Sequence, residues 1–268
     1  YWPHAFQIPV HWHDEVEIIY VRKGPLMVEI DGQKFIGDDG AVYIVSPGVL
    51  HMMAAPETPV DYFTFLFPME FISFQTKDEL EDEIFFPLRN HTREFRPEVT
   101  NRNLLEKLIP ILDELSEENG KFGTHRQIQV RIRLLQVVDL LVEYDQLEAK
   151  TGRASGGLEK EILIYIQDNY HEHISLAELS EHFHLSEKYM SRFFSERFHM
   201  TLTQYVNYVR LKYARHLLES TDLSVTEIAM KSGYPNVSYF IRKFSAAVGE
   251  PPLRYRNGKA VKDQKNRI

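Results

Sequence analysis

The chain has 268 residues, 43% of them hydrophobic and 26% charged, enough for two domains of ordinary size with a core in each. It contains no cysteine, which excludes disulfides and thiolate metal sites, and no apolar run approaches the roughly 18–20 residues of a membrane span. The net charge of −8 argues against a uniformly basic nucleic-acid binder.

That total hides an asymmetry. Residues 1–155 carry 15 basic and 26 acidic side chains, a balance of −11, whereas residues 156–268 carry 16 and 13, a balance of +3. Only the second half is suited to meet phosphate. The start, Tyr1-Trp2-Pro3-His4, has no basic head or apolar stretch, so no signal peptide and a cytoplasmic location are expected. The absent initiator Met reads as a trimmed amino terminus.

To about Phe74, short β-rich runs alternate with turn signals. The strand candidates are Val16–Val21, Leu26–Ile30, Lys34–Ile36, Ala41–Val45 and Asp61–Phe67. Asp31-Gly32 is a strong hairpin signal because both residues tolerate positive φ, and Gly24-Pro25, Gly37–Gly40 and Pro47-Gly48 punctuate the rest. Many short, closely spaced strands predict a small barrel or sandwich. Helical period follows, in a stripe of Leu104, Leu105, Leu108, Ile111, Leu112 and Leu115 and a longer one from Ile128 to Val142. These helices either cover the barrel or pair with a second copy of the chain. Leu147 to Gly157, small and polar, reads as a linker. The expected layout is α+β, with a barrel and flanking helices over 1–146, a linker over 147–157 and an all-α domain over 158–268.

In the last domain Ser175 caps a helix with Leu176, Leu179 and Phe183 inside, and His184-Leu185-Ser186 makes a turn. A second helix runs from Glu187 to about Phe198, with Met190, Phe193, Phe194 and Tyr189 as inner candidates and Lys188, Ser191 and Arg192 on the opposite face. About fifty residues later the plan recurs. Ser224 caps a helix through Val225, Ile228, Ala229 and Met230, Gly233 turns the chain, and Asn236 caps a helix with Ser238 and Arg242 on its polar face and Lys243 beside them. Leu202 to Ser220 reads as one long helix between them. A short helix, a tight turn and a helix with a basic face form a helix-turn-helix unit, whose second helix enters the major groove. The spanning helix suits two such helices about 34 Å apart, one DNA turn. Phe193, Phe194, Phe240 and Phe244 lie opposite the basic faces and read as core.

Ile174–Arg256 resembles the DNA-binding domain of the AraC/XylS family, and IAMKSGYPNVSYFIRKFSAAVGEPPLRYR, Ile228 to Arg256, matches that family's second-unit signature. The resemblance implies base contacts at Lys188, Ser191 and Arg192 and at Ser238 and Arg242. His199 departs from it, standing where the family usually has glycine.

In the first half, His11-Trp12-His13 is followed by Glu17 and Gly24, and Gly40, Gly48 and His51 come later. On a strand, His11 and His13 share a face that Glu17 rejoins two pleats on. A third His from a neighbouring strand completes three imidazoles and a carboxylate, a set suited to Zn, Mn, Fe or Ni. The spacing is similar to the two motifs of the cupin family, with the second motif's proline shifted to Pro47 and its late asparagine missing. The resemblance implies an effector-sensing barrel, often for sugars, in a regulator of this kind.

Three uses of these histidines compete: hydrogen-bonded core or surface residues, the lining of an effector pocket, and a divalent-metal site at His11, His13, Glu17 and His51. Pocket lining by His11, His13, Glu17, Tyr20 and His51 is the preferred reading. Trp12, Tyr43 and Phe65 are further candidates to stack on a sugar, although aromatics in a small barrel more often fill core. The expected protein is a non-enzymatic transcription regulator that binds double-stranded DNA and a small-molecule effector and forms a homodimer, with RNA polymerase as a candidate partner. The alternatives are a metal-dependent cupin enzyme and a regulator without an effector, acting through protein contacts.

Overall fold

The computed structural model describes residues 6–55, 60–74, 78–117, 123–150 and 157–257. By its internal contacts the chain divides into two units, His11–Gly156 and Gly157–Ile268, with Tyr1–Val10 grouped with the second.

The strands are β1 (Phe6–His11), of which only His11 falls in the first unit, and then β2 (Val16–Lys23), β3 (Leu26–Ile30), β4 (Gln33–Gly37), β5 (Val42–Val45), β6 (His51–Ala55) and β7 (Asp61–Phe67), all within it. They form two sheets, ordered β1-β6-β3-β4 and β5-β2-β7. Asp31 and Gly32, with φ of 49° and 77°, make the tight turn that pairs β3 with β4. The central strand β2 is buried on both faces from Val16 to Val21. Its side chains alternate. Val16, Ile18 and Tyr20 join Val42 and Ile44 in a core with Leu104, Leu108, Leu112, Leu134 and Leu141, while Glu17, Ile19 and Val21 point the other way, into the sandwich.

The leucines of that core come from α2 (Arg102–Glu117) and α3 (Thr124–Glu143), which follow a short α1 (Phe86–Arg89) and β8 (Arg93–Phe95). Their buried leucines pack on the β2 sheet, so the helices cover the barrel, while Ile128, Ile132 and Val142 of the second stripe stay exposed. The linker expected from Leu147 is corrected at its start. Leu147–Ala149 forms β9, paired antiparallel with β8 through Phe95↔Leu147, because Leu147 is buried in the same core as Phe95. Residues 151–156 lie outside the described residues.

The second unit is helical: α4 (Gly157–Asn169), α5 (Leu176–His182), α6 (Glu187–Phe198), α7 (Leu202–Ser220), α8 (Val225–Lys231) and α9 (Val237–Val248). Leu179, Met190, Phe194 and Phe198 are buried in the first helix pair, and Ile228, Ala229, Phe240 and Phe244 in the second. Among the described residues no helix is long and apolar enough to cross a membrane.

Candidate effector site and nucleic-acid interface

In the first unit, β1 ends at His11, and the chain turns through Trp12-His13-Asp14-Glu15 before entering β2. His13 therefore sits in a connection and not on a strand. Its carbonyl accepts a hydrogen bond from Gly48 N at 2.7 Å, and the turn at Gly48 (φ 72°) feeds His51 into β6. This brings the 11–17 stretch together with His51, which is 34 residues further on. One ligand atom from each of His11, His13, Glu17 and His51 lies within 4.8 Å of all the others.

The hydrogen bonds fix which imidazole nitrogen carries hydrogen. His13 Nδ1 is 3.1 Å from the Glu15 carbonyl, and His51 Nδ1 is 2.9 Å from that of Val49. A carbonyl only accepts, so both Nδ1 atoms donate, and a neutral ring keeps its lone pair on Nε2. Both Nε2 atoms face the same carboxylate oxygen, Glu17 Oε2, at 3.1 Å from His13 and 3.0 Å from His51. His51 Nε2 is buried, without the alignment that a hydrogen bond to Oε2 needs. Lone pairs converging on an anion repel unless positive charge, a proton or a metal ion, lies among them. Burial pushes the Glu17 carboxyl up, but contacts from His13 and His51 and the charges of His51 and His11 outweigh it and hold the group at about 2. Burial lowers the His13 imidazole, yet its bond to Glu17 and the nearby carboxylates raise it overall.

Three imidazoles and one carboxylate make a borderline donor set that fits a first-row divalent ion. Donors about 2.1 Å from one ion lie within about 4.2 Å of each other, so small side-chain shifts close the set. The Nδ1–carbonyl bonds are the outer contacts that orient a ligating imidazole.

Tyr20 does not join this set. It lies three residues from Glu17 on β2 and therefore on the opposite face, in the core under α2. Phe65 opposes Ile18 and faces the same way as Tyr20. Tyr43 is buried within the sandwich against Phe35. The tyrosine that sequence reading missed is Tyr62 on β7, which opposes Val21 and so shares Glu17's face. Burial and then the Glu17 charge push its hydroxyl up.

In the second unit, each short helix begins with a capping box. Ser175 Oγ accepts from Glu178 N at 3.1 Å while Glu178 accepts from Ser175 N at 2.7 Å; Ser224 and Glu227 repeat this at 3.2 and 2.8 Å. The longer helices are capped by Ser186, accepting from Tyr189 N at 3.2 Å, and by Asn236, accepting from Tyr239 N at 2.8 Å. With α5 and α6 turned at His184, and α8 and α9 turned at Gly233, the unit contains two helix-turn-helix lobes joined by α7.

Residues 1–135 match the AraC-like ligand binding domain family, and residues 179–258 match the helix-turn-helix domain family. The chain belongs to the AraC family of transcription regulators. Relatives include the HTH-type transcriptional regulator YdeC of Bacillus subtilis (strain 168), 26% identical over 93% of this chain and 86% of that protein. Another is the HTH-type transcriptional activator RhaS of Klebsiella pneumoniae (strain 342), 25% identical over 94% of this chain and 88% of that one. The structure of ToxT from Vibrio cholerae aligns with 94% of this chain and 96% of its own, at 12% identity and a TM-score of 0.44. As a member of the AraC family, the chain joins a ligand-binding barrel domain to a DNA-binding domain.

On this regulator's α6, Lys188, Ser191 and Arg192 are exposed, and Arg192 Nε bonds Glu196 at 2.8 Å. Solvent screens an exposed pair of this kind, so it holds the guanidinium only weakly. On α9, Ser238 and Arg242 are exposed and Lys243 is half-buried, with both cations over the Tyr239 ring at 5.3 and 5.6 Å. One inward assignment is corrected, that of Tyr189. Tyr189 is 49% exposed and stacks on the outer side of half-buried Phe193, and Met230 is 72% exposed. Tyr189 stands beside Lys188 and was missed as a candidate DNA contact because aromatics ordinarily signal core.

The two lobes reach the same backbone with different residues. The turn is made by His184 (φ 54°) in the first and Gly233 (φ 76°) in the second, and the recognition helices end at His199 (φ 53°) and Gly249 (φ 88°). The histidine at 199 thus keeps the left-handed ending that glycine supplies elsewhere, at a local cost of about 1–2 kcal/mol.

Proposed function

We propose that this regulator senses a small molecule, a sugar or related metabolite, in its barrel, and that occupancy of the His11, His13, Glu17 and His51 set governs its affinity for DNA. The observation carrying this reading is the convergence of two imidazole Nε2 atoms on one buried carboxylate oxygen. Those four residues would hold a divalent ion. When bound, the ion supplies a Lewis-acidic contact for a hydroxyl or carboxylate of the effector. Tyr62 on the same face adds a polar edge. For the effector to act as a switch, it must bind one DNA-binding state more tightly than the other.

Lys188, Ser191 and Arg192 in the first lobe, and Ser238, Arg242 and Lys243 in the second, are the proposed DNA-contacting residues, with arginine pairing to guanine in the major groove. The protein acts in the cytoplasm as a regulator and not as an enzyme, with RNA polymerase as a candidate partner. We assign 1–146 to sensing and 158–268 to DNA binding. Dimerisation is assigned to α3, where Ile128, Ile132, Leu135 and Val142 follow the spacing of a coiled-coil seam, and all but half-buried Leu135 are exposed. Ile132→Glu is expected to convert a dimer to a monomer in sedimentation.

The sensing claim is tested by stripping the protein with a chelator and titrating Zn²⁺ and Mn²⁺ calorimetrically. One ion per chain is expected in the wild type and none in Glu17→Gln. Equal uptake by both proteins would sink the assignment.

A further inference from the structure

A cavity of about 580 Å³ lies between the α4–α5 connection, α7 and the second lobe, lined by His171, Thr203, Asn207, Met230 and Tyr239 among others. That connection leads directly into the first lobe, so contacts made to it from α7 and the second lobe bear on the angle between the lobes. Two features of the cavity's edge make such contacts. First, Gly233 in the turn of the second lobe touches the connection between α4 and α5. A Cβ there would stand 2.7 Å from His171 Cα and 2.8 Å from the Tyr170 carbonyl oxygen, too close for any side chain. Secondly, the Arg210 guanidinium reaches from α7 to the same connection. Its Nε donates to the Tyr170 carbonyl at 2.6 Å and its Nη2 to the Glu172 carbonyl at 2.6 Å. The guanidinium also lies 5.9 Å from the centre of the Tyr234 ring, which is buried in the second lobe's core beside Phe240.

We infer that Arg210 is a positioning residue that fixes the second recognition helix relative to the first, and so sets the half-site spacing the protein accepts. Two carbonyls after α4 are held by one rigid fork, whose other face meets the aromatic residue that follows the second lobe's turn. Lysine cannot replace this geometry, since a single ammonium on a flexible stem lacks the planar fork. Arg210 is distinct from the proposed base-reading residues, because its Nε and Nη2 are engaged with the backbone. It acts on specificity through the separation and angle of the two recognition helices.

The absence of cysteine makes the test direct. Ser195→Cys on α6 and Ala246→Cys on α9, both exposed positions, place one spin label on each recognition helix of the full chain. Pulsed dipolar spectroscopy should give one narrow distance with Arg210 present. In Arg210→Met the distribution should broaden at least twofold or split, with Arg210→Lys between the two. A distribution in folded Arg210→Met that superimposes on the parent overturns the inference. If that variant does not fold, a superimposing distribution in Arg210→Lys overturns it equally.

A second readout separates positioning from general weakening. On a duplex selected by the wild type from a random pool, inserting one base pair between half-sites turns the second site by about 34–36°. The wild type should lose affinity more than about tenfold, and the Arg210 variant less than about threefold. Equal losses, or equal weakening on a single half-site, contradict the role.

Discussion

The barrel hides its chemistry and the helical domain displays it. Glu17 and His51 keep 3% and 0% of their side-chain exposure, whereas Arg192 keeps 78%. In the barrel, folding brings His51 beside the neighbouring His11, His13 and Glu17, so four polar groups converge on one largely buried point. On the recognition helices, water satisfies each group separately, and the residues form a surface whose order is set by helix period and caps. The first arrangement is sensitive to any single deletion. The second spreads its loss over several contacts.

If this contrast is right, the largest effect belongs to the buried set. His51→Ala should lower divalent-ion affinity by about a hundredfold or more in calorimetric titration. A loss within threefold would place the ion elsewhere. Acidity sharpens the same point in metal-stripped protein. Glu17, held at about 2 against its ordinary 4.5, contributes stability that is complete above 4.5 and lost as pH falls toward 2. His13 is raised above 6.5, so its contribution is present below 6.5 and lost as pH rises through its folded value. The stripped barrel is therefore expected to be most stable between 4.5 and 6.5. An ion reverses the upper limb, since imidazoles ligate when neutral and binding then strengthens with pH. Denaturant titrations across pH, with and without Zn²⁺, check both limbs.

On the exposed side the effects should be smaller and separable. Arg192→Ala and Arg242→Ala should each weaken specific DNA binding by about 1–3 kcal/mol and relax preference at one base position. Unchanged binding in both variants would move the recognition faces. Ser175→Ala and Ser224→Ala should each cost about 1 kcal/mol of stability by thermal melting, leaving the barrel's ion binding untouched. Smallest of all is His199→Gly. Relief of the left-handed strain, about 1–2 kcal/mol, is offset by about 0.5–1 kcal/mol of added chain entropy, for a net gain near 0.5 kcal/mol.

The helical domain was the more legible half because its signals are local. Ser175, Ser186, Ser224 and Asn236 all cap where the sequence pattern puts a helix start. Met230 is apolar and exposed, since Val225, Ile228 and Ala229 already fill the inward stripe and Met230 falls off it. The barrel was harder. β6, His51 to Ala55, is rich in Met and Ala, and it is a strand because β3 pairs with it across Met27↔Ala54 to Ile30↔His51. β9 likewise exists through β8. The His/Glu set was readable from spacing, but the place of Tyr20 depended on counting strand parity from Glu17, which favours Tyr62. The contact between Gly233 and His171 was not readable at all, since 62 residues separate its partners.

The proposed function requires coupling between the buried set and the exposed faces. The decisive experiment measures affinity for the selected duplex by fluorescence anisotropy, in Zn²⁺-loaded and chelator-stripped protein, for the wild type and His51→Ala. A change of about tenfold or more is expected between the two states of the wild type, and none in the variant. Equal wild-type affinity in both states, with the ion shown to be bound in one, would contradict the coupling.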